Sequence, residues 1–322
     1  MGQEYGVRRD WPTLVLIALC FTGWALGTTV LATVSPWLAI PVTALLIALH
    51  ASLQHEALHG HPFRDARLNA LIVAPSLNLL VPYLRFRDTH LEHHRDAMLT
   101  DPYDDPESNY VDPLIWARMP APVRLLLRAN NTLAGRLILG PAIGQVLFLR
   151  REALLMLGGD REVIRGWLWH LPAAAVVILW VQAAAMPFWA YGIAAYAGLS
   201  ILKLRTFLEH QAHDSARGRT VVIEDRGLFA LLFLNNNYHV VHHMHPRLPW
   251  FALPARFRAD REKYLRRNHG YYYRSYTDVL RRHLFRAKDP VAHPLWRGDQ
   301  RLAPLPERAR RRILPDFGGL QQ

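Results

Sequence analysis

Cysteine is nearly absent from this sequence, because Cys20 is the only one among 322 residues. A single thiol excludes a disulfide framework, an iron–sulfur cluster and a Cys-rich zinc site. Lysine is also scarce, with only Lys203, Lys263 and Lys288, so arginine supplies almost all of the basic charge behind the formal net charge of +12. Any metal site in this protein must therefore be built mainly from ligands other than thiolates.

Charged residues are missing from two long segments. No Asp, Glu, Lys or Arg occurs from Trp11 to His55, or from Gly166 to Leu202. A membrane-spanning helix needs about 20 apolar residues, so each segment has room for two such helices on either side of a central proline. We therefore predict four transmembrane helices in two hairpins, near residues 13–33, 37–57, 167–185 and 188–208.

The arginines predict the orientation of these helices. Nearly all of them lie in the region 60–165 and in the region after residue 205, and the two hairpin turns contain none. Because positive charge collects on the cytoplasmic side of membranes, we expect both termini in the cytoplasm. The membrane accounts for the basic charge, so we expect no nucleic-acid partner. The protein would lie in the inner membrane if it is bacterial, and the first apolar segment would be retained rather than cleaved.

Two shorter apolar segments need a separate interpretation. Residues 68–84 would cover about 26 Å as a helix but contain two prolines, and residues 137–149 are too short to span a membrane. We expect both at the cytoplasmic interface or re-entrant. Residues 1–285 would then form one membrane domain, and residues 286–322 a basic, loosely ordered C-terminal tail.

Eight of the 17 histidines lie in three clusters, "HEALH" (55–59), "HLEHH" (90–94) and "HVVHH" (239–243). On a helix, positions i, i+3 and i+4 share one face, so each cluster can direct two or three imidazoles at one point. Six histidines outside the clusters are expected to be structural: His50, His61, His170, His269, His283 and His293.

The chemistry of the clusters leaves several interpretations open. "HEALH" alone matches the zinc-protease pattern, in which His55 and His59 bind zinc and Glu56 activates water. One zinc takes four ligands, however, and the three clusters contain eight histidines, which suit two ions better. Imidazole binds zinc, copper, iron or nickel, and two irons that activate O₂ beside a lipid-soluble substrate fit the apolar surroundings best. A metal transporter is a third possibility, although the predicted spans contain no acidic residue except Glu56, at the end of the second span.

The three clusters together resemble the histidine boxes of the membrane fatty acid desaturase/hydroxylase superfamily, over about residues 13–255. The resemblance lies in "HEALHG", in "HHRDAMLTDPYDDPES" (93–108) and in "NNNYHVVHHMHPRLPW" (235–250), which are similar to boxes of acyl-lipid desaturases and carotenoid ketolases. It implies an all-α integral membrane fold with four transmembrane helices and a cytoplasmic helical cap that carries a di-iron site.

By this resemblance, nine histidines would bind two iron ions: His55, His59, His90, His93, His94, His210, His239, His242 and His243. His210, in "RTFLEHQAHD", matches a ligand that the family places before the third box, and His213 is its competitor.

Acceptors for the outer ring nitrogens or for water would come from Glu56, Asp101 and Asn236, with Glu92, Asp96 and Glu209 as further candidates. We interpret Asp101, Asp104, Asp105 and Glu107 mainly as parts of a turn. We interpret Asn235–Asn237 as a cap of the helix that carries His239, or as a site for metal-bound water.

The resemblance also implies the reaction. The protein would be an O₂-dependent fatty acid desaturase/hydroxylase-type oxidoreductase that acts on an acyl chain of a lipid, with a carotenoid or other terpenoid as the alternative substrate. No cytochrome, flavin or ferredoxin domain is recognisable in the sequence, so electrons are expected from a separate donor of the ferredoxin or cytochrome b5 type.

Overall fold

A computed structural model of the protein describes residues 10–94 and 99–296. The described chain is mostly helical, with one small parallel sheet. By length and composition, four of its helices can cross a membrane: Trp11–Val34, Pro36–Leu58, Leu133–Leu157 and Arg161–Ala183.

The two uncharged segments fold as pairs of helices. The first consists of α1 (Trp11–Leu26), a π-helical turn (Gly27–Leu31) and α2 (Ala32–Val34), followed by α3 (Pro36–Leu58). The second consists of α9 (Arg161–Ala183) and α10 (Phe188–Thr206). Pro36 is the first residue of α3, where its missing N–H costs no hydrogen bond. These helices correspond to the four predicted spans, although α10 is not among the four candidates above.

Helices α3 and α10 form the centre of the packing. A Cβ atom placed on Gly198 would lie 2.8 Å from Ile47 Cγ2 and 3.0 Å from the Ala44 carbonyl, so only glycine permits this close approach. The turns of the two helix pairs are also joined, because the Met186 N–H donates to the Thr28 carbonyl at 3.0 Å. The two apolar pairs therefore form one continuous core.

The chain between α4 (Ala66–Ile72) and α5 (Tyr83–His93) is irregular and enters this core. Leu77 is fully buried and packs with Trp24 and Tyr191. Several of its carbonyls accept hydrogen bonds from side chains of other helices: Val73 from Gln54, Leu77 from Tyr191, Leu79 from His170 and Leu80 from Gln145. Non-helical backbone at membrane depth requires such partners within the protein.

Helix α8 (Leu133–Leu157) corrects the expectation for residues 137–149, since it has 25 residues and is long enough to span. The apolar run predicted a shorter element because charged residues flank it. Those residues remain helical because they have buried partners: the Arg136 Nε donates to the Asn130 carbonyl at 2.9 Å, and Glu152 accepts from the Arg85 Nε at 2.6 Å.

Short elements carry the rest of the described chain. They are α6 (Pro113–Arg118), α7 (Ala121–Asn130), a 3₁₀ turn (Ala216–Arg219), β1 (Val222–Ile223), α11 (Leu228–Leu232), α12 (His239–Met244), a 3₁₀ turn (Trp250–Ala252), α13 (Leu253–Ala259), α14 (Arg261–Arg267), β2 (Tyr272–Tyr273) and α15 (Tyr276–His283). Strands β1 and β2 pair in parallel. Of the predicted tail, residues 286–296 are described; there Ala292 bridges to Val111, and Lys288 donates to the His210 carbonyl.

Candidate metal centre

Four segments place their histidines at the same end of the core. They are the end of α3, helix α5, the residues just after α10 and helix α12. All nine histidines predicted as ligands lie there in two groups, and within each group the ligand atoms are no more than 4.8 Å apart. The first group is His55, His59, His90, His94 and His242, and the second group is His93, His210, His239 and His243.

Each HxxHH cluster is divided between the two groups. His90 and His94 belong to the first group, whereas His93 belongs to the second; on α12, His239 and His243 belong to the second and His242 to the first. In each HxxHH cluster, the histidines at positions i and i+4 therefore belong to one group, and the histidine at position i+3 belongs to the other. Successive helical residues differ by about 100° in direction, so adjacent i+3 and i+4 side chains can serve different centres. Each cluster thus directs two imidazoles at one point, as expected, while the third histidine of each HxxHH cluster belongs to the other group.

Within the groups the Nε2 atoms face one another. The His210 Nε2 lies 2.8 Å from that of His93 and 3.0 Å from that of His239. The His94 Nε2 lies 2.9 Å from that of His90 and 3.1 Å from that of His242. The inner nitrogens of both groups thus converge on small volumes.

The outer ring nitrogens of three histidines are held by oxygen acceptors. The Nδ1 of His93 donates to Asp105 at 2.7 Å, that of His90 to Glu107 at 2.8 Å, and that of His239 to Asn236 at 3.2 Å. A neutral imidazole that donates from Nδ1 has a lone pair at Nε2.

The converging nitrogens fit metal ions. When the imidazoles are neutral, as metal ligands must be, the lone pairs of His93 and His239 both face the His210 Nε2, which can donate to only one of them. In addition, the Nε2 atoms of His55 and His59 are buried and lack a hydrogen-bond partner within the described ranges. A cation in each group would satisfy these lone pairs, and the carboxylate–imidazole contacts are those that orient metal-binding histidines.

Burial keeps most of these imidazoles neutral, which metal ligands must be. Burial, followed by repulsion from neighbouring imidazoles, holds the pKa of His59, His210, His239 and His242 well below the usual value. His93 differs: burial opposes its charge, but Glu107 and the Asp105 hydrogen bond outweigh burial and raise the pKa of His93 to about 9. The two carboxylates therefore favour positive charge at this position, and a bound metal ion would displace the proton.

The interpretation of Asp105 and Glu107 mainly as turn residues was therefore incomplete. Each of them accepts a hydrogen bond from the Nδ1 of a ligand histidine. Asp105 also fixes the loop, because its other oxygen accepts from the Thr100 N–H at 2.8 Å. Asp101 has the expected turn role, accepting from the N–H groups of Tyr103 and Asp104 at 2.8 and 3.0 Å. No spacing rule links these acids to the histidines, because the contact arises where the loop folds back on α5.

The other predicted supporting residues have different positions. Glu56 accepts from the Trp250 N–H at 3.0 Å and lies 3.9 Å from the His61 Nε2. Asn236 contacts His239, and its amide donates to Glu209 at 2.8 Å. Within residues 10–94 and 99–296, neither Glu56 nor Glu92 hydrogen-bonds a ligand histidine, and Asp96 lies outside those ranges.

The interpretation of Asn235–Asn237 as a helix cap was wrong. Helix α12 has Tyr238 at its N-cap position and no side-chain capping bond. Instead, the Asn235 amide donates to the Trp250 carbonyl at 3.1 Å and the Asn237 amide to the Ile223 carbonyl at 2.6 Å. These bonds fix the path of the chain into α12.

Histidines outside the clusters have other partners. His213, the competitor of His210, packs on His269 with ring centroids 4.6 Å apart. His61 contacts Asp10 at 2.5 Å, and His245 contacts the Tyr264 hydroxyl at 3.1 Å. In the described part of the chain, neither metal group includes any of them.

A cavity of about 460 Å³ borders the second group through His210 and Glu209. Its apolar walls come from α5, α8 and α10, and its polar walls from the loop 105–110 and from residues 288–290. Pockets of about 300–1,000 Å³ commonly hold small ligands, so this space can take a small organic molecule.

Comparison with known proteins agrees with this geometry. The family model described as "Fatty acid desaturase" matches residues 32–276, which contain all nine histidines. No curated protein matches the chain.

Proposed function

The chain belongs to the fatty acid desaturase family, and on that premise we propose that it uses O₂ and external electrons to desaturate or hydroxylate an acyl chain of a lipid. The observation that carries the proposal is the pair of all-histidine groups at one end of a core of apolar helices. Two groups, each with converging Nε2 atoms, support two metal ions rather than one.

A pair of iron ions bound there would supply the reduction of O₂ and the removal of hydrogen from an unactivated C–H bond. The protein's own contribution is positional. Asp105, Glu107 and Asn236 hold three ligand rings by their outer nitrogens. The apolar part of the cavity would hold the acyl chain beside the second group and keep water away from it.

We propose that α1–α3 and α9–α10 cross the membrane as two hairpins, with the metal groups in a cytoplasmic helical cap and both termini in the cytoplasm. The bond between Met186 and Thr28 supports this arrangement, because it joins the turns of both pairs. Although α8 is long enough to span, it contacts α10 at Tyr196, Ser200 and Lys203, from the middle of α10 to the end nearer His210, and we therefore propose that α8 lies at the interface.

Electrons would come from a separate donor of the ferredoxin or cytochrome b5 type. His243 is half-buried and lines a small surface depression together with Arg217 and Arg267. This depression brings a ligand histidine and two arginines together at the surface. Positive surface charge favours the approach of an acidic partner.

The position of Glu56 argues against a zinc protease. A protease base would point at the metal, whereas Glu56 accepts a hydrogen bond from the Trp250 backbone and lies near His61. The ketolase-like boxes leave a carotenoid or other terpenoid as the alternative substrate.

The test is to express the chain in a host of known lipid composition, and to analyse both the metal content of the purified protein and the host lipids by mass spectrometry. We expect iron in the protein, and lipids that have lost two hydrogens or gained one oxygen. A matched His242→Ala chain should leave the lipids unchanged. A protein that binds one zinc and no iron would overturn the proposal.

A further inference from the structure

The cavity beside the second group has an unusual charge distribution. Its walls contain four acidic and five basic side chains, namely Asp105, Glu107, Glu209, Asp289, Arg136, Arg151, Lys203, Arg205 and Lys288. Buried charges are stabilised mainly by pairing, so the partners of each group indicate which charge the cavity still has to neutralise.

The acids in the cavity wall already have cationic or imidazole partners. Asp105 and Glu107 accept from ligand histidines. Glu209 lies 3.0 Å from the Arg205 Nε, and Asp289 lies 3.4 Å from the Lys288 Nζ. Within residues 10–94 and 99–296, none of these four carboxylates forms an ion pair with Arg136 or Lys203.

Arg136 and Lys203 form no ion pair with a carboxylate in residues 10–94 and 99–296. Arg136 is only 6% exposed, and its bonds go to neutral groups, the Asn130 carbonyl and the Asn109 side chain. Lys203, on α10, forms no side-chain hydrogen bond within the same ranges. Two neighbouring cations in the wall of the cavity therefore have no carboxylate at ion-pair distance within these ranges, although Glu107 and Glu209 line the same cavity.

Helix α8 is shaped to accommodate these two side chains. A Cβ atom on Gly140 would lie 3.0 Å from the Arg136 Cδ and 3.4 Å from the Lys203 Cγ. A Cβ atom on Gly144 would lie 3.3 Å from the Lys203 Nζ. The absence of side chains at these two positions lets the Lys203 ammonium group lie along α8, facing the cavity.

Apolar side chains continue the wall beyond this cationic site. Val81, Phe86, Leu147, Phe148 and Leu202 all line the same cavity. The cavity therefore combines a cationic site and an apolar slot in one continuous space. That combination matches an amphipathic molecule with an anionic group at the end of a hydrocarbon chain.

We propose that Arg136 and Lys203 bind the anionic oxygen-bearing group, a carboxylate or a phosphate, of an acyl substrate whose chain occupies the apolar slot. This inference rests on the proposed function, and it selects an anionic amphiphile over a neutral carotenoid. Guanidinium and ammonium groups are the side chains that bind carboxylates and phosphates most strongly.

The test measures binding rather than turnover, with full-length, metal-loaded protein in neutral detergent and native mass spectrometry as the readout. The probes are hexadecanoate, 1-hexadecanoyl lysophosphatidate and neutral hexadecan-1-ol. We expect the wild type to bind at least one anionic probe more tightly than the alcohol. Lys203→Met should weaken that binding by about tenfold to a hundredfold, the usual effect of losing a hydrogen bond to a charged group.

Two controls complete the test. Lys203→Arg keeps the charge and should retain binding, and Lys263→Met removes an exposed lysine on α14 and should change nothing. A selective loss of hexadecanoate binding identifies a free acid as the ligand, and a selective loss of lysophosphatidate binding identifies a phospholipid headgroup.

Equal binding of the anionic probes and the alcohol by the wild type overturns the inference, even if the Lys203→Met chain fails to fold. The result also separates the two proposals. Tight, Lys203-dependent binding by a protein without iron would overturn the proposed function alone, whereas oxidation of a neutral lipid without such binding would overturn this inference alone.

Discussion

The two histidine groups differ in the helices that build them. The first group takes His55 and His59 from α3, whereas the second takes His210 from just after α10. Helices α5 and α12 contribute to both groups. Each group therefore depends on a different apolar helix pair, and two short helices fix the distance between them. A disturbance of α3 or α10 should affect one group first, whereas a disturbance of α5 or α12 should affect both.

The groups also differ in their surroundings. In the first, Glu107 holds His90; in the second, Asp105 and Asn236 hold His93 and His239. The second group also borders the cavity through His210. We infer that the second group is nearer to the substrate, and the following predictions test whether the groups can be separated.

The largest effect is expected from removing one ligand of each group, in His55→Ala and His239→Ala. Both variants should lose turnover completely, because two ions act as one catalytic unit. Each should keep part of its iron, since the other group retains its full set of ligands. Iron per chain, measured by elemental analysis, checks this. Wild-type iron content in either variant would show that the altered histidine is not a ligand.

A smaller effect is expected from Glu107→Gln and Asp105→Asn, which leave every ligand in place but weaken the hold on His90 and His93. Loss of such acceptors typically lowers metal affinity or activity by about 10–100-fold. Asp105→Asn should have the larger effect, because Asp105 also fixes the Thr100 backbone. Titration of the metal-free variants with ferrous ion measures this. Asp101→Asn is the matched control, and an equal loss there would show that the effect comes from the loop.

The smallest effect is expected from Glu56→Gln, since a glutamine oxygen can still accept from the Trp250 N–H. Iron content should be unchanged, and turnover should fall by less than about tenfold, which corresponds to one weakened hydrogen bond. Rates of lipid oxidation at equal iron loading check this. Complete loss of turnover with iron retained would instead indicate a base that acts directly on the reaction.

Several features of this protein could be predicted from the sequence for simple physical reasons. Uncharged segments predict membrane-spanning helices because charge is costly in a membrane. All nine histidines found at the centre were identified from their spacing and from a family resemblance. The helical period also showed that the imidazoles of each cluster are neighbours, although not that they serve two centres.

Other features depend on long-range contacts. Asp105 reaches His93 because the described residues 99–107 lie against α5, with Thr100 at a φ of 69°. Arg136 and Glu152 extend α8 because distant groups pair with them, Asn109 and Arg85 respectively. Glu56 lies next to a ligand in the sequence, yet it contacts the backbone of Trp250, a residue 194 positions away. Local patterns contain no information on such partners.

The irregular segment between α4 and α5 has a consequence for biosynthesis. Its Leu79 carbonyl is satisfied by His170, 91 residues later, and its Leu77 carbonyl by Tyr191, 114 residues later. When this segment leaves the ribosome, neither partner has yet been made, and unsatisfied carbonyls are costly in lipid. If α9 and α10 cross the membrane as proposed, we expect this segment to stay in the polar interface until both helices have inserted. Completion of the core, and of the cavity wall that Asn78 and Val81 contribute, is consequently a late event in the assembly of this protein.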